Sequence, residues 1–179
     1  KLEIKIADKN IEIKENNLNL NNNSTITYSG NIEDFENLKS IIFKTSGNLE
    51  TGDLVQLIGK EFKPFIHSSG TVPVSITFDG NKKKQTLNAK IATDKNNFIT
   101  PVDIDELKGK DTILETTVDF KANRIKIKDT GLKIKNTQTD KKGNEIITYT
   151  PILTTEGTIE GNRINLIKII LPSALHGKI

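Results

Sequence analysis

The chain has 179 residues, 34 % of them hydrophobic and 27 % charged, with a net charge of +3. That length can bury the core of one domain, the charged share gives no sign of disorder, and the small net charge alone gives no ground for nucleic-acid binding. Cysteine is absent, which excludes a disulfide framework, a thiolate metal site and a thiol nucleophile.

The sequence opens at Lys1, already inside the alternation Leu2-Ile4-Ile6, as expected of a mature form or of a segment excised from a longer protein. Ile11-Ile13, Leu18-Leu20 and Ile26-Tyr28 continue a period of two, which places one apolar and one polar face on each strand. A change of period follows. Thr51-Gly52-Asp53 supplies a helix cap, and Leu54, Val55, Leu57, Ile58 and Phe62 recur at helical spacing until Pro64. A helical insert is predicted near 52–62.

The stretch HSSGTVPVSITFDGNKKKQTLNAKI, residues 67–91, reads as a hairpin. Val72, Val74, Ile76 and Phe78 alternate with Pro73, Ser75, Thr77 and Asp79, and Leu87, Ala89 and Ile91 repeat the pattern. Asp79-Gly80-Asn81 tolerates the positive φ of a reversal, and Lys82, Lys83 and Lys84 fall at the turn. Val102–Lys108 is a second, weaker helical candidate, and strand patterns resume at Leu114-Thr116-Val118-Phe120, Ile125-Ile127, Leu132-Ile134 and Ile164-Leu166. The whole predicts a mainly β, antiparallel fold as a single domain over 1–179. It takes the form of a curved or groove-like sheet, or alternatively a β-sandwich, with one or two short helices. Four short motifs, at Ser29-Gly30, Ser46-Gly47, Ser69-Gly70 and Glu156-Gly157, are read as glycines that open strands after turns, the alternative being repeated addition of similar strands to one long sheet.

Catalytic chemistry finds no footing. His67 and His176 are the only histidines and neither stands at ligand spacing from another donor. No phosphate-cradling glycine loop and no nucleophile elbow is present, and the carboxylates lie on polar strand positions (Glu115, Asp119) or in loops (Asp103, Asp105, Glu106). The expectation is a protein without catalytic residues, metal or cofactor. No run reaches the roughly 20 apolar residues of a membrane-spanning helix. Arg124, Lys126 and Lys128 share one side of a strand whose other side carries Ile125 and Ile127, and Lys133 and Lys135 repeat this beside Leu132 and Ile134. Such lysines solubilise the wet face of a sheet, and they also attract anionic headgroups. Aromatics do not interleave with them, so no base-stacking platform for nucleic acid is expected.

The segment SSGTVPVSITFDGNKKKQTLNAKIATDKNNFITPVDIDELKGKDTILETTVDFKANRIKIKDTGLKIK, with the later TTEGTIEGNRINLIKIILP, resembles the periplasmic repeats of the AsmA-like superfamily, which includes TamB- and YhdP-type proteins. The similarity lies in the Gly-x-Val-Pro-Val strand opening, the Asp/Leu/Lys/Gly loop and the hairpin that follows, over residues 67–171. It implies a curved β-groove whose apolar side shields acyl chains between two membranes, in a periplasmic protein tethered to the inner membrane by a segment outside this chain. The implied wall is Val74, Ile76, Phe78, Leu87, Ile91, Val118, Phe120, Ile125, Ile127, Leu132 and Ile134. Lys82, Lys83, Lys84, Arg124 and Lys126 are the implied headgroup contacts, and the partners a phospholipid or other acyl lipid and other envelope proteins. The rival expectation is a β-sandwich with a structural or adhesive role at the cell surface.

Overall fold

The computed structural model describes residues 3–20, 24–58, 66–67, 70–93, 98–99, 110–122, 124–160 and 163–170. Period-two sequence becomes strand throughout. The elements are β1 (Ile4–Ala7), β2 (Asn10–Asn19), β3 (Thr25–Glu33), β4 (Ser40–Glu50), α1 (Thr51–Ile58), β5 (Ile66–His67), β6 (Thr71–Gly80), β7 (Gln85–Thr93), β8 (Phe98–Ile99), β9 (Thr112–Lys121), β10 (Arg124–Thr139), β11 (Glu145–Glu160) and β12 (Arg163–Ile170). Ten strands form one open, curved antiparallel sheet in the order β1-β2-β3-β4-β6-β7-β9-β10-β11-β12. Each strand pairs with its neighbour in sequence, apart from the small strands β5 and β8, which pair with each other.

The turns follow local chemistry. Asp8 and Lys9 both adopt positive φ, the backbone of a two-residue hairpin whose twist matches its strands. Between β6 and β7 the reversal lies at Asn81–Lys84, one step beyond the expected Asp79-Gly80-Asn81. The Asn81 side-chain oxygen accepts the backbone N–H groups of Lys83 and Lys84 at 2.9 and 3.2 Å, so the side chain organises the turn and the three lysines form its tip. The β4–β6 and β7–β9 connections leave the same end of the sheet, and the β5–β8 pairing joins them there.

α1 begins directly at the end of β4, as the change of period predicts. Ser24, almost fully buried, donates to the Asp53 carboxylate at 2.5 Å and accepts the Glu50 N–H at 2.8 Å, while Thr51 donates backbone N–H and hydroxyl to the Gly70 carbonyl. A buried carboxylate in the first turn of a helix satisfies groups that the helix itself leaves orphaned. The predicted tail of this helix, 59–62, and the candidate at Val102–Lys108 lie outside the described residues, as does His176.

Two expectations need correction. Ile125-Ile127 and Leu132-Ile134 belong to a single strand, β10. Asp129, with a positive φ, sits at a register shift between Lys128 and Gly131 that keeps the alternation in phase on both sides. Of the four recurrent glycines only Gly70 precedes a strand; Gly30, Gly47 and Gly157 lie inside β3, β4 and β11. The reason is steric. A Cβ on Gly47 would stand 2.0 Å from the Thr25 carbonyl oxygen and 2.9 Å from the Ile26 Cα, while one on Gly30 would meet the Phe43 ring at 3.1 Å. Glycine is kept where neighbouring backbone or a large ring already fills the space.

Gly47→Ala therefore forces backbone to move and is expected to lower stability by about 3 kcal/mol or more, against roughly 1 kcal/mol for Gly30→Ala, whose nearest obstacles, the Phe43 ring at 3.1 Å and the Ile42 carbonyl oxygen at 3.2 Å, stand farther off. Urea titration of both variants checks the order; equal losses would contradict the packing described.

Candidate functional site

Strand register sorts the side chains of all ten strands onto two faces with different chemistry. One face is crossed, perpendicular to the strands, by continuous rows of aliphatic residues. One row runs Ile4, Ile13, Gly30, Phe43, Phe78, Leu87, Val118, Ile127 and Gly157, each paired with the next. A second runs Leu18, Ile26, Gly47, Val74, Ile91, Leu114, Leu132 and Leu153. Between them the positions are mostly small or hydroxylated. Thr45 pairs with Ile76 and Ala89 with Thr116, the Thr116 and Thr130 hydroxyls are hydrogen-bonded, and Thr130 pairs with Thr155. Two rows of large side chains flanking a row of mostly small ones make a furrow across the sheet, interrupted by Tyr28 and Ile76.

All eleven wall residues expected from the sequence fall on this face. Leu132 and Ile134 are buried, Ile76 is 37 % exposed, and Val74, Phe78, Leu87, Ile91, Val118, Phe120, Ile125 and Ile127 are half-buried. Burial deepens toward the α1 end. There Leu49 and Val72 pack with Leu20, Ile26, Val74 and Ile91, and Leu132 and Ile134 pack with Leu114, Ile152 and Leu153. Toward the opposite end Ile4 and Ile6 are 51 % and 66 % exposed. Phe78 and Phe120 meet edge to face with ring centroids 6.3 Å apart, reaching across β7 between them. Besides this sheet, the described residues form only α1, at the end of β4, and the small β5–β8 pair.

The sequence reading missed half of this wall. Ile4, Ile6, Ile11, Ile13, Leu18, Ile26 and Ile32 join it from β1–β3, and Ile41, Phe43 and Leu49 from β4. The available signal was the spacing Ile41-Phe43-Thr45-Gly47-Leu49, an alternation whose middle members are not oily.

The other face carries ion pairs. Lys133 pairs with Glu115, and Lys128 with Asp119, which also accepts from the Thr86 hydroxyl at 3.0 Å and faces Lys84 at 3.4 Å. The hydrogen bond from Lys128, with that from Thr86 and the charges of Lys128 and Lys84, outweighs burial and holds the Asp119 carboxyl down to about 2. Of the expected headgroup contacts, Lys82, Lys83 and Lys84 form the exposed hairpin tip at one rim of the sheet. Arg124 and Lys126 stand on the polar face, opposite the apolar wall, and Arg124 pairs with Glu160 at 3.0 Å. Lys82 and Lys83 thus stand at the rim between the two faces, whereas Lys84, facing Asp119, and Lys126 lie on the polar side.

Among the described residues no three His, Asp or Glu side chains are gathered as a metal site, and no helix is long and apolar enough to cross a membrane. No family model, curated protein or solved structure matches this chain.

Because Asp119 has a folded pKa below its ordinary 3.8, its contribution to stability is complete above that value and is lost as pH falls from about 4 toward 2. Asp119→Asn is expected to cost on the order of 1–2 kcal/mol at pH 7 and little near pH 2. Thermal unfolding of both proteins across that range checks it; a pH-independent difference would contradict the assignment.

Proposed function

We propose that this protein shelters lipid acyl chains on the apolar face of its sheet, as a non-enzymatic element of lipid transport between the two membranes of a bacterial envelope. The observation that carries the reading is the furrowed apolar face itself. Its rows cross the sheet from β1 to β11 with glycine at a few positions, and away from the α1 end its apolar side chains remain half-exposed. A contiguous apolar surface of this extent on a soluble sheet marks a binding face, since each apolar square ångström left wet forgoes about 25 cal/mol.

The chemistry selects the ligand class. The face is mainly aliphatic, with Tyr28, Phe43, Phe78 and Phe120 as its aromatics and threonine hydroxyls along the furrow floor, two of which, Thr116 and Thr130, are bonded to each other. Flexible hydrocarbon fits such a wall, at about 0.8 kcal/mol per methylene taken from water. The two rows run side by side over eight strands, and seven interstrand steps of about 4.8 Å make the furrow roughly 34 Å long, comparable to the ~30 Å hydrocarbon thickness of a whole bilayer, so an acyl chain can lie along it. No bond is made or broken in such a passage. Lys82 and Lys83 at the rim supply positive charge for a phosphate headgroup while the tail stays on the wall, whereas Lys84 is turned to Asp119 on the other face. The resemblance to AsmA-like periplasmic repeats supports the same reading, including a periplasmic location, a tether to the inner membrane outside this chain and envelope protein partners.

Ile76→Asp combined with Ile127→Asp places charge in the furrow and on its wall. The double variant is expected to lose capture of a fluorescent phospholipid from vesicles while keeping its strand signal by circular dichroism. Collapse of the strand signal would mean that these residues form a closed core, as in a sandwich. Undiminished capture by a folded variant would remove the apolar face as the lipid site.

A further inference from the structure

The polar face departs from its own pattern in one place. Ile113 of β9 is on that face, between Ala92 of β7 and Lys133 of β10 in register, yet it is only 4 % exposed. Around it stand Pro73, Ala92, Ile147 and Tyr149, all on what is elsewhere the charged side of the sheet, lining a half-open cavity of about 520 Å³. Ile147 and Tyr149 are 43 % and 45 % exposed, although each has a register partner on β10 beside it. Isolated surface apolar residues need no explanation; five that converge on one cavity do.

Two cations complete the rim. The Lys90 ammonium lies 5.8 Å from the centre of the Tyr149 ring, and Lys135 is the register partner of Tyr149 on β10. Among the described residues neither lysine makes an ion pair, because the cross-strand partner of Lys90, Glu115, is taken by Lys133. Asp111, the one acid lining the cavity, is already engaged in an interaction of its own. A pocket lined by Ile113, Pro73, Ala92 and Ile147, with Asn48, Thr71 and Thr112 beside them, one aromatic wall and two ammonium groups outside any ion pair, one of them over that aromatic ring, has the complement of an amphipathic anion.

We propose that this cavity is a second ligand site, separate from the apolar furrow and on the opposite face, which binds a small amphipathic carboxylate such as a medium-chain fatty acid. The hydrocarbon packs on Ile113 and against the Tyr149 ring, and the carboxylate accepts hydrogen bonds from Lys90 and Lys135, drawing Lys90 off the ring. Binding requires both ends of the ligand, so a neutral alcohol of the same length is a poor substitute. The site does not depend on the furrow being a lipid track.

The test is titration calorimetry with decanoate and with decanol on the whole chain. With the furrow disabled by Ile76→Asp and Ile127→Asp, and strand content confirmed by circular dichroism, the chain is expected to bind decanoate saturably at one site, and decanol far more weakly. Lys90→Gln with Lys135→Gln is expected to weaken decanoate binding roughly tenfold or more, the usual consequence of losing charge-assisted hydrogen bonds. Tyr149→Ala, at an exposed position that leaves the fold intact, should weaken it as well. Decanoate binding that persists in this furrow-disabled chain, even where phospholipid capture is abolished, separates the two sites. Absence of saturable decanoate binding, equal affinity for decanol, or unaltered affinity in the lysine double variant would each overturn the proposal.

Discussion

Side-chain alternation in an antiparallel sheet is the constraint on which everything else here depends. Every strand presents successive residues to opposite faces, and a register error of one residue would carry its oily positions onto the wet side. The chain holds that phase across ten strands, including places where it is threatened. At β10 the bulge around Asp129 absorbs an extra residue, so that Leu132 and Ile134 return to the side occupied by Ile125 and Ile127. Inside β3, β4 and β10, Gly30, Gly47 and Gly131 keep register where a side chain would collide with neighbouring backbone or crowd a phenyl ring. The rows of aliphatic residues across the sheet are the product of these local devices.

A sheet built this way has to meet two opposite demands with its two faces. On the polar face, cross-strand pairs such as Lys133–Glu115 and the Lys128–Asp119–Thr86 group bind neighbouring strands through charge and hydrogen bonds, so the layer gains cohesion from the side that meets water. The apolar face is buried most deeply near α1, where Leu49, Val72, Leu132 and Ile134 form two small cores. Away from that end the same face stays half-exposed. This gradient joins stability to the function proposed: one end anchors the layer, and the remainder is left available to hydrocarbon. The Ser24–Asp53 contact, which fixes the start of α1 against the end of β4, determines where the anchored end lies.

Much of this was legible before the structure, and the remainder was hidden for physical reasons. The β6–β7 hairpin and β9 carry large apolar residues at every second position apart from Ala89 and Thr116, and each stands where the alternation puts it. β4 escaped because its apolar-face positions 45 and 47 are Thr and Gly, and because the adjacent Ile41 and Ile42 blur the period. The glycines inside strands were read as turn signals, since sequence does not show which backbone will lie 2 Å from an absent Cβ. The cavity around Ile113 was invisible for a further reason: Tyr149 and Lys90 are brought together by two intervening strands, and no local pattern encodes that approach. Breadth was the main shortfall. The wall inferred from residues 74–134 is the middle of a face that extends to β1 on one side and β11 on the other.

The most direct test of the central claim is mass spectrometry of lipids extracted from the purified protein beside a mock purification. The account predicts phospholipid or another acyl species retained in stoichiometric amount, carried by the apolar face. A monodisperse protein free of lipid, after isolation from membranes rich in it, would contradict the account and return the sheet to a structural or adhesive role.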